Sequence, residues 1–265
     1  MRIARSVLLV FLFVLVLRVL NAQPAPAPRD AHAVALLQRS LSALVGTNTL
    51  NDATLTGYAN YIAGSDEETG SVTLKATAIG QGRADLSLSN GKRSEVIDTS
   101  QATPVGSWCG ADGVWHPMVA HNLYTDPSWF SPAFLISRAR SNVNYAISPL
   151  DAETQNGVAV EHVRIYFQSD GSLDPPTLVQ GLSQIDIYLN ASTLLPVSIA
   201  FNTHADNNAL LNIPIQVTFS NYQLVQGISV PYHVQKYVQN GLALDVTVTG
   251  VQFNSGLSTS DFQVQ

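Results

Sequence analysis

The residues best suited to metal chemistry are two histidines, His116 and His121, in the stretch HPMVAH. Four residues separate them in a segment with the composition of a loop, whereas a helical zinc site needs His-x-x-x-His spacing. The nearest acids, Asp112 and Asp126, lie in turn-like stretches and complete no ligand pattern. We therefore expect neither a metal site nor any other cofactor.

Other polar clusters are better explained by structure than by catalysis. The acids Asp66, Glu67 and Glu68 in SDEETG are typical of a solvated hairpin tip. Glu161 and His162 are neighbours in a predicted strand, so their side chains should point to opposite faces and not act together. The chain has no Gly-x-Ser-x-Gly elbow, phosphate loop or dinucleotide-binding glycine pattern. We therefore expect the protein not to be an enzyme.

The charge balance limits the classes of partner. Charged residues are 12% of the 265-residue chain, about half the share in an average soluble protein. The formal net charge is −6. An acidic chain with few basic residues is a poor partner for nucleic acid or for anionic lipid head groups. We expect no nucleic-acid partner.

Residues 1–22 have the pattern of a secretory signal peptide. Arg2 and Arg5 precede an unbroken apolar run over residues 7–17, and Ala22 is a small residue at the expected cleavage point. Cleavage there would remove three arginines and no acid, so the formal charge would change from −6 to −9. This pattern predicts a protein of the periplasm or the medium. Retention of the segment as an uncleaved anchor is the alternative.

Residues 23–29, QPAPAPR, predict a stiff Pro/Ala linker. The folded domain is then expected over residues 30–265. It begins with an amphipathic helix, because Asp30 can cap the start of a run with helical apolar spacing and Gly46 can close its end.

After this helix, apolar residues recur at every second position, which indicates strands with one apolar face and one wet face. Asn90-Gly91, Asp112-Gly113 and Asn240-Gly241 predict hairpin turns. Such short connections join antiparallel strands. The alternation slips at Glu161-His162 and again at Gly250, which predicts β-bulges and a strongly coiled sheet.

The stretch NLYTDPSWFSPAFLISRAR interrupts the alternation. Pro127 and Pro132 exclude one continuous helix, and Ser131 before Pro132 predicts a short helix from Pro132 to about Arg138. Few backbone hydrogen bonds would hold this insert, although its apolar side chains are large. We therefore expect it to act as a lid over a ligand and not as core. Its large apolar residues are Trp129, Phe130, Phe134 and Leu135.

These elements predict a mainly β (α+β) domain with a single strongly coiled antiparallel sheet of about ten strands, an N-terminal helix and a short helical insert. The order of the elements resembles that of the bacterial periplasmic lipoprotein carriers (LolA/LolB-like). The stretches IDIYLNASTLLPVSIAF, VTFSNYQLVQGISVPYHV and VQFNSGLSTSDFQV resemble the strands, hairpin and closing segment at the C-terminus of that family. The same ending is similar to that of uncharacterised exported proteins.

The resemblance implies an incomplete barrel whose concave side is capped by the helices and, in the carriers, holds acyl chains. Arg83 is the nearest counterpart of the carriers' cavity arginine. The implied function is non-enzymatic binding of a lipid, an acylated lipoprotein or another apolar ligand. Candidate lining residues are Trp129, Phe130, Phe134 and Leu135 from the insert, and Ile185, Ile187, Leu189, Ile199, Phe201, Ile215, Val217 and Phe219 from the strands. The alternative is an interaction module whose core these side chains fill, with another cell-envelope protein as its partner.

Overall fold

The computed structural model describes residues 26–101, 103–169, 171 and 174–265. The predicted signal peptide, residues 1–22, and the first three linker residues lie outside the described residues. Within those ranges the helices are α1 (Ala31–Val45), α2 (Pro132–Ser141), α3 (Pro176–Ser183) and two 3₁₀ turns, Ala120–Tyr124 and Thr259–Phe262. The strands are β1 (Asp52–Ala63), β2 (Asp66–Thr77), β3 (Gln81–Leu88), β4 (Gly91–Asp98), β5 (Val105–Cys109), β6 (Trp115–Pro117), β7 (Tyr145–Gln155), β8 (Val158–Phe167), β9 (Ile185–Asn190), β10 (Pro196–Ala205), β11 (Asn208–Val225), β12 (Ile228–Val238) and β13 (Gly241–Phe253).

All these strands belong to one sheet, in the order β6-β5-β4-β3-β2-β1-β13-β12-β11-β10-β9-β8-β7. Each neighbouring pair is antiparallel, because nearly every connection is a hairpin or a short loop. β6 and β7 are the two edges, so the sheet is coiled but not closed. The predicted fold class is confirmed, with thirteen strands in place of about ten.

The hairpin turns lie where the sequence predicts them, but two are shifted by one residue. Val238 pairs with Gly241, so the loop consists of Gln239 and Asn240, with φ of 50° and 66°. Two consecutive positive φ values define a type I′ turn, whose twist matches that of the flanking strands. Leu88 pairs with Gly91 in the same way, so Gly91 begins its strand and does not form the turn.

One of the two predicted bulges is where expected. Near Gly250 the register shifts between Thr56 and Gly57, which leaves one extra residue on β13. The change of alternation at Glu161-His162 has a different cause. The pairing of β8 with β9 is regular there, and in the pairing of β7 with β8 the extra residue lies on β7 and not on β8. Val160 is buried outside the main core, so both faces of β8 are covered and the alternation is lost.

The main apolar core lies on the concave side of the sheet, the side that α1 and α2 cover. α1 starts and ends as predicted. The Asp30 carboxylate accepts a hydrogen bond from the Ala33 backbone N–H, and Gly46 has a positive φ of 57°. α2 starts at Pro132 as predicted and runs three residues beyond Arg138. Ser131 occupies the N-cap position without a side-chain capping bond.

Arg29, the last residue of the predicted linker, is tied into the fold. It bridges Ile147 on β7 in parallel, and its guanidinium donates hydrogen bonds of 2.8–3.1 Å to four backbone carbonyls at and beyond the end of α2. The last carbonyls of a helix have no partners within the helix, so a cation there satisfies both their hydrogen bonding and the helix dipole. Arg29 thereby holds α2 against the N-terminal segment.

The sequence analysis did not anticipate α3. This helix packs against β8, β10 and the 3₁₀ turn at residues 120–124, where Val179 and Leu182 are buried. Its eight residues include an interior glycine, and so short a helix is marginal on its own, so contacts with the sheet must stabilise it. No helix within the described residues is both long enough and apolar enough to span a membrane.

Candidate ligand-binding pocket

A pocket of about 380 Å³ lies on the concave side, with β4 and β5 on one wall and β10 to β12 on the other. The segment between β6 and α2 contributes Met118, Val119, Asn122, Thr125, Asp126 and Trp129. The strands contribute Glu95, Ile97, Trp108, Phe201, Thr203, Ile213, Ile215, Lys236 and Val238, and the β10–β11 turn adds Asp206. This volume is at the small end of the range for small-molecule sites.

Two anchors hold the segment over residues 118–131 across the concavity. The Asn122 amide donates a 2.9 Å hydrogen bond to the His204 carbonyl and accepts one of 2.9 Å from the His204 N–H, on β10. On β3, a Cβ at Gly82 would lie 2.2 Å from the Pro127 carbonyl oxygen. Only glycine allows this approach, so Gly82 lets the segment lie against β3 and form one side of the pocket.

All twelve predicted lining residues lie in or against one apolar cluster on the concave side, but only Trp129, Phe201 and Ile215 line the pocket. The other nine pack against the helices and one another, with exposures of 4% or less. These nine are Phe130, Phe134, Leu135, Ile185, Ile187, Leu189, Ile199, Val217 and Phe219. α1 and α2 fill that part of the concave side, and the pocket lies beside it.

The pocket contains charged residues that the sequence analysis did not select. The Lys236 ammonium lies 4.6 Å from the centroid of the Trp129 ring. Glu95 lies directly opposite Trp108 in the β4–β5 pair, on the same wall. Lys236 is two residues from Val234, a core residue, so both side chains lie on the same face of the sheet. Glu95 and Ile97 share that face in the same way. In each of these strands, a charged residue occupies a position that faces the apolar side of the sheet. That departure from the alternating pattern is the sequence signal for this site.

Another carboxylate of the pocket is already neutralised. Asp126 is buried and forms an ion pair with Arg138 of α2. It also accepts hydrogen bonds of 2.7 Å and 2.5 Å from the Ser128 backbone N–H and hydroxyl. Asp126 thus holds the segment to α2, and its charge is not available to a ligand.

Arg83 does not point to the concave side, whereas Arg93 does. Arg83 pairs with Asp85 on the convex side, because the concave residues of β3 are its neighbours Ala84 and Leu86. Arg93 lies 4.6 Å from the Tyr61 ring centroid and donates hydrogen bonds of 2.6 Å and 3.1 Å to the Glu68 carboxylate. Glu68 is 3% exposed. The prediction of a solvated tip therefore fails for Glu68, although Asp66 and Glu67 are exposed.

The two histidines of HPMVAH have separate structural partners. His116 stacks on Trp108 with ring centroids 4.4 Å apart. The Nε2 atom of His121 lies 3.1 Å from the Ala205 carbonyl oxygen, and the His121 and His204 rings meet edge to face. Burial, and secondarily the charge of His121, lowers the pKa of His204 below its ordinary value of 6.5. Among the described residues, no three His, Cys, Asp or Glu side chains are grouped so that they could hold a metal ion.

Ser220, His233 and Asp245 form a hydrogen-bonded chain on the convex side. The serine hydroxyl is 3.1 Å from His233 Nδ1, and Nε2 is 2.8 Å from the Asp245 carboxylate. In a serine-hydrolase triad the serine contacts Nε2 and the aspartate contacts Nδ1, so the partners of the two ring nitrogens are exchanged here. These residues point away from the pocket, and Ser220 is exposed to solvent. The chain is better explained as cross-strand polar pairing.

Solved structures similar to this chain share its fold. A domain described as that of an outer membrane lipoprotein-sorting protein from Vibrio parahaemolyticus has a TM-score of 0.55 at 13% identity, covering 88% of this chain and 96% of the other. A DUF1329 family protein from Desulfovibrio piger has a TM-score of 0.54 at 11% identity, covering 90% and 100%. A LolA superfamily protein from Nitrosomonas europaea has a TM-score of 0.53 at 10% identity, covering 87% and 97%.

No protein-family model matches the chain, and no curated protein does. Identities of this size establish shared architecture and not shared chemistry. The coiled open sheet, the N-terminal helix and the helical insert agree with the resemblance found in the sequence. The chain therefore has the fold of the LolA-superfamily and outer membrane lipoprotein-sorting proteins.

Proposed function

We propose that this protein is exported and binds a lipid, an acylated lipoprotein or another apolar ligand without catalysis, in the pocket between β4–β5 and β10–β12. The observation that carries the proposal is the pocket itself, which extends the apolar concave side beyond the part filled by α1 and α2. An apolar ligand gains about 25 cal/mol for each Å² that it removes from water, so binding needs no reactive group. The location follows from the predicted signal peptide.

A variant that fills the pocket tests this proposal. Ile213 lines the pocket from β11, and Ile213→Trp should reduce uptake of a fluorescent fatty acid by about tenfold or more, since tenfold is only 1.4 kcal/mol. Leu224→Trp is the matched control, because Leu224 lies on the same strand and is 74% exposed. Equal uptake by both variants and the wild type would place the ligand elsewhere.

A protein-interaction module with a filled core is the second candidate function. Nine of the twelve predicted lining residues are 4% exposed or less, as a filled core requires. Leu210 and Leu211, near the β10–β11 turn, are 79% and 54% exposed and could contact another envelope protein. Native mass spectrometry of protein from its own cell envelope separates the candidates. Absence of co-purified lipid together with no fatty-acid uptake would favour the interaction module.

A further inference from the structure

The pocket contains two opposite charges that are not paired with each other. Lys236 and Glu95 are both half-buried. Neither side chain forms a hydrogen bond or an ion pair with any residue that the structure describes. Partial burial costs each charge some hydration free energy, and among the described residues no group of opposite charge supplies compensation. A ligand with complementary charges would supply that compensation.

The surroundings of Glu95 suit an ammonium group. Its cross-strand neighbour Trp108 is 40% exposed, and the Trp108 ring is held in place by stacking on His116. A carboxylate beside an exposed aromatic ring binds a cation through both charge pairing and the cation–π interaction. Asp206 adds to the pocket lining a second carboxylate without an ion-pair partner in the described part of the chain, and it is exposed.

The surroundings of Lys236 suit an anionic group. The Trp129 ring contacts its ammonium on one side, and a ring face cannot neutralise the charge as a carboxylate would. Asp126, the nearby acid of the segment, is occupied by Arg138. Lys236 is therefore the cation of the pocket lining that remains available to a phosphate or carboxylate of the ligand.

Resting on the proposed function, we infer that the ligand is an amphiphile with one acyl chain and a zwitterionic head group. The ammonium of the head group binds at Glu95 and Trp108, and its phosphate binds at Lys236. A purely anionic head group would face two unpaired carboxylates, and a purely cationic one would leave Lys236 unpaired. A cavity of about 380 Å³ favours a single chain, which lies against Phe201, Ile213 and Ile215.

Titration calorimetry with four probes tests the head group. The probes are lauroyl lysophosphatidylethanolamine, lauric acid, dodecylamine and chain-free phosphoethanolamine, each used below its micelle concentration. The lysophospholipid should bind about tenfold or more tightly than either singly charged amphiphile, since one charge-assisted hydrogen bond accounts for such a factor. Phosphoethanolamine, which shares the head group and lacks the chain, should bind most weakly.

Two substitutions then assign the charges. Lys236→Gln should lower the lysophospholipid affinity by about tenfold to a hundredfold and leave dodecylamine binding undiminished. Glu95→Gln should lower the lysophospholipid affinity similarly and leave lauric acid binding undiminished. Lys236→Arg and Glu95→Asp keep each charge and should retain most of the affinity. Thermal melting of the free variants shows whether each one is folded.

The outcomes distinguish this inference from the function on which it rests. Equal affinity for all three amphiphiles, still abolished by Ile213→Trp, would overturn the zwitterionic head group and leave apolar-ligand binding intact. Phosphoethanolamine binding as tightly as the lysophospholipid would overturn the role of the acyl chain. No binding of any probe to the wild-type protein would overturn both the inference and the proposed function.

Discussion

At the scale of single residues, the charged groups of the concave side differ in whether the fold itself neutralises them. Arg93 and Arg138 have buried carboxylate partners, and removing one member of such a pair leaves an uncompensated charge. Lys236 and Glu95 have no such partners among the described residues, so their charges contribute little to folding. The paired groups therefore hold the structure together, and the unpaired groups are available to a ligand.

His204 gives a prediction at the same scale. Because its pKa is lowered in the folded state, the unfolded chain binds more protons just below pH 6.5 than the folded chain does. Stability should therefore fall as the pH decreases from about 6.5 toward the folded-state pKa. His204→Leu should remove the contribution of this histidine to the loss of stability at acidic pH. Urea unfolding at pH 7.5 and pH 5.0 would measure the free energy of unfolding under both conditions.

His32 supplies the control for this measurement, because it is exposed on α1 and its replacement leaves the His204 site intact. His32→Leu should keep the acid-dependent loss of stability. If His204→Leu shows the same pH dependence as the wild type, groups other than His204 are responsible.

At the scale of elements, the insert has two parts with different roles. Its first part, residues 122–131, lines the pocket together with Met118 and Val119 before it, whereas α2 is part of the core and is held by Arg29 and Asp126. Phe134 is 1% exposed among core residues. This burial is that of a core residue and not of a lid, and of the four large apolar residues of the insert Trp129 lines the pocket.

Phe134→Ala tests this division. The substitution should cost about 3–5 kcal/mol of unfolding free energy, because it leaves a cavity in a packed core. The affinity of the protein that remains folded for a fluorescent fatty acid should be unchanged. Unfolding and uptake are measured on the same variant. A large loss of uptake with little loss of stability would restore the lid interpretation for α2.

At the scale of the whole molecule, the predicted signal peptide leads us to expect export. The N-terminus of protein recovered from its own cells should lie near Gln23, and the protein should be in the soluble envelope fraction. N-terminal sequencing and fractionation check both points. A chain that still begins at Met1 would contradict the signal-peptide prediction and favour the uncleaved anchor.

The sequence by itself determined the class of fold and the position of most elements. Alternating apolar residues specify strands because side chains in a strand point alternately to its two faces. Asp30 and Gly46 specify the ends of α1 because their chemistry acts within a few residues. The turns were predictable to within one residue. α3 was not, because contacts with distant strands stabilise it and local propensity does not.

Only the tertiary structure decided which apolar residues line a space and which fill the core. Ile215 and Val217 have the same phase on the same strand, yet Ile215 lines the pocket and Val217 packs beneath the helices. That difference depends on where α1 and α2 end over the sheet, which no local pattern encodes. Lys236 and Glu95 lie 141 positions apart in the sequence. The coiling of the sheet brings them into one pocket, since a curved sheet makes opposite walls from distant strands.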